Sequence, residues 1–549
     1  MFARLSFLHG FFLPLRDGSR NVHLVILGLL VLCGYLPSLT GTSIWDDEAL
    51  LRNPLLESSR GLFAIWLTPH ENLLEEHYWP FPYTVAWVLR QVTGTTPFAF
   101  HLTNLVFHWL NAVLVFLCAR QLCLRGAWLT AALFAVHPLQ VESVAWIVEL
   151  KNILSFFFAA LSAWIFFSCE RDGHPSRGLI LGTASFALGM LSKSAIAPFP
   201  LALGLLFWSL PEGLSHGKRR HFCGSLLITS VFLLAIDFLV MKSHPKLLPN
   251  FSLVERTLLA LECLSHYLRT FFFPTHLCAI YPRWTPGTLP IWHYLPALAF
   301  CGTSLGVFWF ARSHKPLRPL AAALAGSILM LAPTLGFMSF SYQRQAFVAD
   351  RFAYHALPFL CGACVWTSFH IARHLRIPPN ILLVAGGVVL FLCMGMSYRR
   401  AALYHNVSLL ANDTVTKNPR ATTARYYLAD SLAREGKFLD ATAQFTEVFW
   451  TTVSALDERE ATLDFEKFRD QPIKDPKRAF NAGLIAAAKG YLDQAENAFR
   501  GAETDPQLKA QAVLGRAAIL WKSGQKEQAV ELVRSLYPSL RGETRDATR

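Results

Sequence analysis

Apolar residues gather along the chain into runs of about 17 to 22 separated by short polar stretches, the length a helix needs to cross a hydrocarbon core about 30 Å thick. The runs predict spans over Val22–Leu39, Phe98–Leu117, Ala127–Trp146, Ile153–Cys169, Gly178–Leu191 and Ile196–Leu210. Further spans are predicted over Phe222–Met241, Ile291–Ala311, Leu320–Phe337, Phe352–His370 and Ile381–Met396, about eleven in all. The first follows Arg4, Arg16 and Arg20, and no small-residue cleavage site closes it. It therefore reads as a transmembrane helix rather than a removed signal. Leu258–Phe273 is apolar too, but Glu262, His266 and Arg269 interrupt it, so a re-entrant or interfacial helix is expected there.

From about Tyr404 the pattern changes to that of a soluble helical protein. Tyr427, Leu428, Ala429, Leu432, Gly436, Phe438, Ala441 and Phe445 open a motif that returns as Phe480, Gly483, Gly490, Ala495, Phe499 and Ala502. It returns again as Ala517, Leu520, Gly524, Ala529 and Val533. Ala495 and Ala529 are 34 residues apart, the tetratricopeptide period. Three helical hairpins, with an insert around Thr451–Lys477, would stack into a short α-solenoid that binds extended peptides or partner proteins. The expected architecture is thus all-α: a cytoplasmic N-terminus over residues 1–21, a multi-span membrane domain over 22–400, and a tetratricopeptide-repeat domain over 401–549.

Composition agrees, with 53% hydrophobic and only 16% charged residues in 549. The net charge of +13 does not point to nucleic acid, because the basic residues sit in short loops between apolar runs. Arg120/Arg125, Arg171/Arg177, Lys218/Arg219/Arg220, Arg312/Lys315/Arg318 and Arg373/Arg376 fall on the same side as the N-terminus if each run crosses once. That side is the cytoplasm by the positive-inside bias, and the repeats then lie outside it. None of the eleven Cys lies beyond Cys393, and their placement within apolar runs gives no disulfide framework.

The loop after the first run carries Asp46, Asp47, Glu48, Glu57, Glu71, Glu75 and Glu76 against Arg52 and Arg60, so it faces away from the cytoplasm. The Trp45-Asp46-Asp47-Glu48 motif places two adjacent carboxylates at the membrane surface, one able to act as a general base while the other orients an acceptor. Helix capping before Ala49-Leu50-Leu51 explains the same residues without chemistry. His137 and Glu142 form a candidate polar pair at the mouth of the third span, where Pro138 should end the helix, and His137 also suits a purely structural hydrogen bond. His101 and His108, seven residues apart on one helical face, would suit two metal ligands but lack a third.

The ordered series Trp45-Asp46-Asp47 with Asn53-Pro54, Tyr78-Trp79-Pro80, His101-Leu102-Thr103-Asn104 with His108, and Phe134-Ala135-Val136-His137-Pro138 with Glu142 runs along the first spans. Leu191-Ser192-Lys193, Pro274-Thr275-His276-Leu277 with Tyr281, and Ala349-Asp350-Arg351-Phe352 with Tyr354 continue it. Together these resemble the transmembrane-and-tetratricopeptide-repeat-containing protein O-mannosyltransferase family of the GT-C glycosyltransferase superfamily. The resemblance implies a GT-C-type membrane enzyme using a polyprenyl-phosphate sugar donor, with mannose as the sugar and protein Ser or Thr hydroxyls as acceptors. It implies Asp46 and Asp47 as the catalytic pair and Glu48 as an accessory. Lys193 and Arg351, at the outer ends of predicted spans, are the candidate cations for the donor phosphate; a divalent metal stays open as a cofactor. Trp79 stands where members often have Arg, and Ser194 where they often have Glu.

The competing functions are a glycosyltransferase acting on a lipid or glycan, and a non-catalytic membrane scaffold whose repeats assemble envelope proteins. A transporter is disfavoured by the lack of a duplicated half or paired broken helices.

Overall fold

The computed structural model describes residues 17–210, 216–240, 251–338, 340–454, 456, 473 and 475–538. Those residues are helical, with no strand among them, and the chain divides into two compact units, Met1–Asn406 and Val407–Arg549.

In the first unit the helices are α1 (Asp17–Leu39), α2 (Asp46–Leu51), α3 (Ser59–Leu67), α4 (Pro80–Thr93), α5 (Pro97–Gln121), α6 (Ala127–Val136), α7 (Val141–Ala145) and α8 (Leu150–Arg171). They continue as α9 (Pro175–Met190), α10 (Phe199–Ser209), α11 (His216–Val240), α12 (Leu253–Phe272), α13 (Leu295–Ala311), α14 (Arg318–Leu331), α15 (Leu357–His374) and α16 (Pro379–Leu403). Among the described residues seven segments are long and apolar enough to cross a membrane: Asn21–Leu39, Pro97–Gln121, Ile147–Arg171, Gly217–Val240, Leu295–Ser313, Lys315–Thr334 and Pro379–Leu403. The chain is a multi-pass membrane protein. Ile228, Val231 and Phe232 on α11 and Val384, Phe391 and Leu392 on α16 are exposed, an arrangement suited to lipid rather than water.

The expected span over Ala127–Trp146 is broken. α6 ends at Val136, Pro138 opens a 3₁₀ turn, and α7 is a separate five-residue helix. Pro138 has no amide hydrogen and cannot continue the ladder. Ile196–Leu210 also shortens, to the eleven residues of α10, after a 3₁₀ turn over Ser194–Ile196. α15 starts only at Leu357, since Asp350–Ala353 form a 3₁₀ turn.

α12 begins on a capping box, in which Ser252 and Glu255 satisfy each other's backbone amides. It is not among the long apolar helices. Its buried face packs on the segment before Asp350, with the Cys263 thiol on the Phe347 carbonyl and the Tyr267 hydroxyl beside the Ala349 amide at 3.4 Å. α8 is the central helix, packed along α5 and α9. Glycines set its closeness to α9: a Cβ on Gly182 would meet the Ser162 carbonyl oxygen at 3.1 Å, and one on Gly189 the Ser155 carbonyl oxygen at 3.0 Å.

The second unit holds α17 (Val407–Lys417), α18 (Thr422–Arg434), α19 (Phe438–Ser454), α20 (Pro476–Ala488), α21 (Leu492–Ala502), α22 (Lys509–Lys522) and α23 (Lys526–Ser535). α18/α19, α20/α21 and α22/α23 pack as hairpins. Gly436, Gly490 and Gly524 sit in the three tight turns at φ 78°, 82° and 86°, the left-handed conformation that ends a helix most easily at glycine. Phe499 fills the space between hairpins, and side chains at Gly483 and Gly515 would strike its ring at 2.8 and 3.1 Å. Most of the insert expected around Thr451–Lys477, like Arg4 and Arg16, lies outside the described residues.

Candidate active site

The polar face of α5 holds an irregular stretch of backbone between α6 and α8, where unsatisfied amides would be costly at membrane depth. The Asn104 side-chain amide donates to the carbonyls of Val144 (3.3 Å) and Trp146 (2.9 Å), and that of Asn111 to the Ile153 carbonyl at 3.0 Å. His108 bridges the Tyr354 hydroxyl (2.9 Å) and the Ala135 carbonyl (3.0 Å). His108 thus has a structural role inside the bundle, and His101 is fully buried on the same helix. Among the described residues no group of three His, Cys, Asp or Glu could hold a metal ion.

Against this stretch lies the acidic motif. Trp45 adopts φ 45°, a strained conformation for a bulky residue, and its indole meets that of Trp146 edge-on at 5.4 Å. Neither Asp caps α2. Trp45 occupies the capping position, and both carboxylates lie in the first turn. The two have opposite surroundings. Asp47 is fully buried, and its two oxygens accept the amides of Ile44 (3.1 Å) and Val148 (3.0 Å), tying the loop to the start of α8. Burial pushes its carboxyl well above the ordinary carboxylate range, against the pull of those amides. Asp46 is exposed. Its carboxyl is nonetheless raised by loss of water to the surrounding protein, while Lys151 and Arg351 draw it down. Glu48 points away and pairs with Arg52 at 2.8 Å on the surface.

Beside Asp46 is a knot of buried charge. Arg351 donates through Nη1 and, at 2.9 Å, through its backbone amide to Glu142, and it forms an ion pair through Nε with Glu149 at 3.2 Å, with the Tyr342 ring 4.1 Å from its guanidinium carbon. Lys193 reaches Glu149 at 3.4 Å, and Lys151 reaches Glu75 at 3.4 Å. Both contacts are longer than the roughly 2.7–2.9 Å of a full charge-assisted bond, which leaves ammonium hydrogens for another anion. Burial lowers Lys193 to about 8, with Glu149 opposing the drop. Asn152 donates to Glu149 at 2.7 Å and to the Arg351 carbonyl at 3.1 Å, locking the knot.

Of the sequence candidates, the structure brings together Asp46, Asp47, Glu142, Lys193 and Arg351. Glu48 stays outside the cluster. The expected pairing of His137 with Glu142 does not form. His137 accepts the Leu139 amide at 3.3 Å, lies 3.0 Å from the Phe271 carbonyl and stacks on that ring, while Glu142 belongs to Arg351. Glu75, Glu149 and Lys151 were missed by the sequence reading. Charged residues at the mouth of an apolar run were the available signal in Glu149-Leu150-Lys151-Asn152.

Residues 80–243 match the family described as dolichyl-phosphate-mannose-protein mannosyltransferase. The human protein O-mannosyl-transferase TMTC1 is 34% identical over 192 residues, 33% of this chain and 20% of that protein. The Caenorhabditis elegans protein O-mannosyl-transferase F38B6.6 is 22% identical over 457 residues, 77% of this chain and 62% of the relative. The chain is thus similar, over part of its length, to protein O-mannosyl-transferases of the transmembrane-and-tetratricopeptide-repeat kind. Its Drosophila melanogaster relative Tmtc1 is 32% identical over 140 residues, 23% of this chain and 16% of that protein. The chain thus spans between 16% and 62% of the length of these three relatives. No solved structure matches it.

The two departures from the O-mannosyltransferase pattern meet in space. The Trp79 indole donates to the Ser194 hydroxyl at 3.1 Å. The same ring stacks on His77 at 4.4 Å and lies 5.2 Å and 5.8 Å from the ammonium groups of Lys151 and Lys193. The two positions are coupled by that bond, so changes at them should not be additive. Trp79→Arg and Ser194→Glu are each expected to lower the thermal midpoint. The double variant should recover by about 0.5–3 kcal/mol of coupling in a double-mutant cycle. Additive losses would show that the positions act independently.

Proposed function

We propose that this protein is a membrane glycosyltransferase that moves a sugar, mannose, from a polyprenyl-phosphate carrier to protein Ser or Thr hydroxyls on the extracytoplasmic face. The observation that carries the reading is the contrast between Asp46 and Asp47. One carboxylate is open and close to cations, and the other is spent on backbone amides.

In this reading Asp46 is the base and Asp47 holds it in place. The acceptor oxygen attacks the anomeric carbon, and its proton passes to Asp46. The bond from that carbon to the phosphate oxygen breaks, and polyprenyl phosphate leaves with the electron pair. Attack opposite the leaving group inverts the centre. Lys193, Lys151 and Arg351 face the charge that develops on the departing phosphate, in a setting of low dielectric where cations act most strongly. The basic loops support placing this cluster outside the cytoplasm. The hairpins of the second unit support a tetratricopeptide solenoid that brings acceptor chains to it.

The test is transfer of labelled mannose from a polyprenyl-phosphate donor to a Ser/Thr-containing protein by the full chain in liposomes. Its pH profile should be bell-shaped. Activity should rise as Asp46 ionises, at a pH raised from that of an ordinary aspartate by its loss of water, and fall near about 8 as Lys193 loses its proton. Lys193→Arg stays charged and should push the falling limb upward. Absence of transfer from any polyprenyl-linked sugar would overturn the reading, and an unmoved falling limb would remove Lys193 from it.

A further inference from the structure

The large cavity of the membrane unit does not lie at the charged cluster. It has a volume of about 330 Å³ and is bounded by α5, α6, α8, α10, α14 and α15. Two of the helices that bound it are short. At about 1.5 Å per residue, α6 and α10 are roughly 15 Å long, half the thickness of a hydrocarbon core. The wall is mostly hydrocarbon, including Leu114, Phe156, Ala160, Phe199, Leu203 and Phe359. Such a lining holds water poorly, and a void of this size is far from the close packing of protein interiors.

Its mouth differs in kind. Arg125, His370 and Arg373 line one end, all three exposed, and no acidic residue lines the cavity. Neither arginine takes part in an ion pair among the described residues. His370 stacks on Trp366 at 4.7 Å, which sets an amphipathic ring at the rim. The mouth is far from the acidic motif. Asn104, near the start of α5, binds the Trp146 carbonyl at the cluster, whereas Leu122 and Arg125 follow the other end of that helix. Seventeen residues of helix separate Asn104 from Gln121, roughly 26 Å.

We propose that this cavity is a binding site for an anionic phospholipid of the leaflet opposite the active site. One acyl chain fills the apolar space among these helices, and the headgroup phosphate rests between Arg125 and Arg373. The charge at the mouth selects a phosphorylated headgroup with net negative charge, and the apolar length selects an acyl chain over a soluble anion. The site is separate from the donor site of the proposed reaction, so it stands or falls independently of that reaction.

Native mass spectrometry of the detergent-released full chain tests it, with palmitoyl-oleoyl phosphatidylglycerol and palmitoyl-oleoyl phosphatidylcholine as probes. Phosphatidylglycerol should be retained in preference to phosphatidylcholine. The Arg125→Gln/Arg373→Gln double variant should weaken its retention roughly thirtyfold. Ala160→Phe, which narrows the cavity from α8, should weaken both lipids, and circular dichroism melting identifies a variant that has merely unfolded. Equal retention of the two lipids, or no loss in the folded arginine variant, would overturn the proposal. Displacement of phosphatidylglycerol by polyprenyl phosphate would overturn it too, by assigning the cavity to the donor.

Discussion

Asp46→Asn is expected to lower the transfer rate by about 10²–10⁴-fold, the range over which a positioned general base acts, while leaving the thermal midpoint nearly unchanged. Asp46 is exposed, so losing its charge disturbs no buried bond. Donor binding should hold or improve, since a negative charge beside the phosphate is removed. Asp47→Asn should behave differently. Its carboxylate accepts two amides, from Ile44 and Val148, and an amide side chain offers one oxygen where two are used. About 1 kcal/mol of stability should be lost with the missing bond, and the rate should fall because Asp46 is no longer held. Initial rates with a Ser/Thr peptide, set against melting curves of the same preparations, separate the two. Full activity in Asp46→Asn would end its assignment as base.

Arg351→Met should have the largest effect on stability, about 3–5 kcal/mol, because it strands the buried Glu142 without its cation and leaves Glu149 only the longer contact to Lys193. The side chains of Glu142 and Glu149 are 0% and 5% exposed. Adding Glu142→Gln should recover part of the loss, which a repulsion between unpaired anions requires and a simple packing defect does not. Arg351→Lys should recover little, since one ammonium cannot match a planar guanidinium that reaches two carboxylates and lies against Tyr342. Denaturant titration in detergent reads the series. A loss below about 1 kcal/mol in Arg351→Met, the scale of an exposed ion pair, would mean that the knot is hydrated rather than buried.

The apolar runs marked helices well where they were long and uninterrupted. α1, α5, α8, α11, α13, α14 and α16 all lie over predicted runs. They marked helices poorly where proline intervened, because hydropathy counts Pro138 and Pro198 as neutral gaps while the backbone cannot pass them as helix. Those breaks matter most for function. The kink after Val136 carries His137 to Phe271 and Glu142 to Arg351, partners 134 and 209 residues away.

The candidate site was legible in part for a related reason. Asp46 and Asp47 stand out as adjacent acids at a membrane surface, and Lys193 and Arg351 as cations at the ends of apolar runs. Glu75, Glu149 and Lys151 have the same residue chemistry but sit among many charged loop residues. Only their convergence on Trp79, Lys193 and Arg351 separates them from the rest.

What the sequence by itself determined was the membrane character, the helical class and the position of the acidic motif, since all three follow from local composition and period. Only the tertiary structure decided which aspartate is exposed, which cations surround it, and that Trp79 and Ser194 are bonded. Burial and pairing depend on segments distant in the chain: Asp46 and Asp47 are neighbours in sequence, yet Val148, 101 residues on, gives its amide to Asp47 alone.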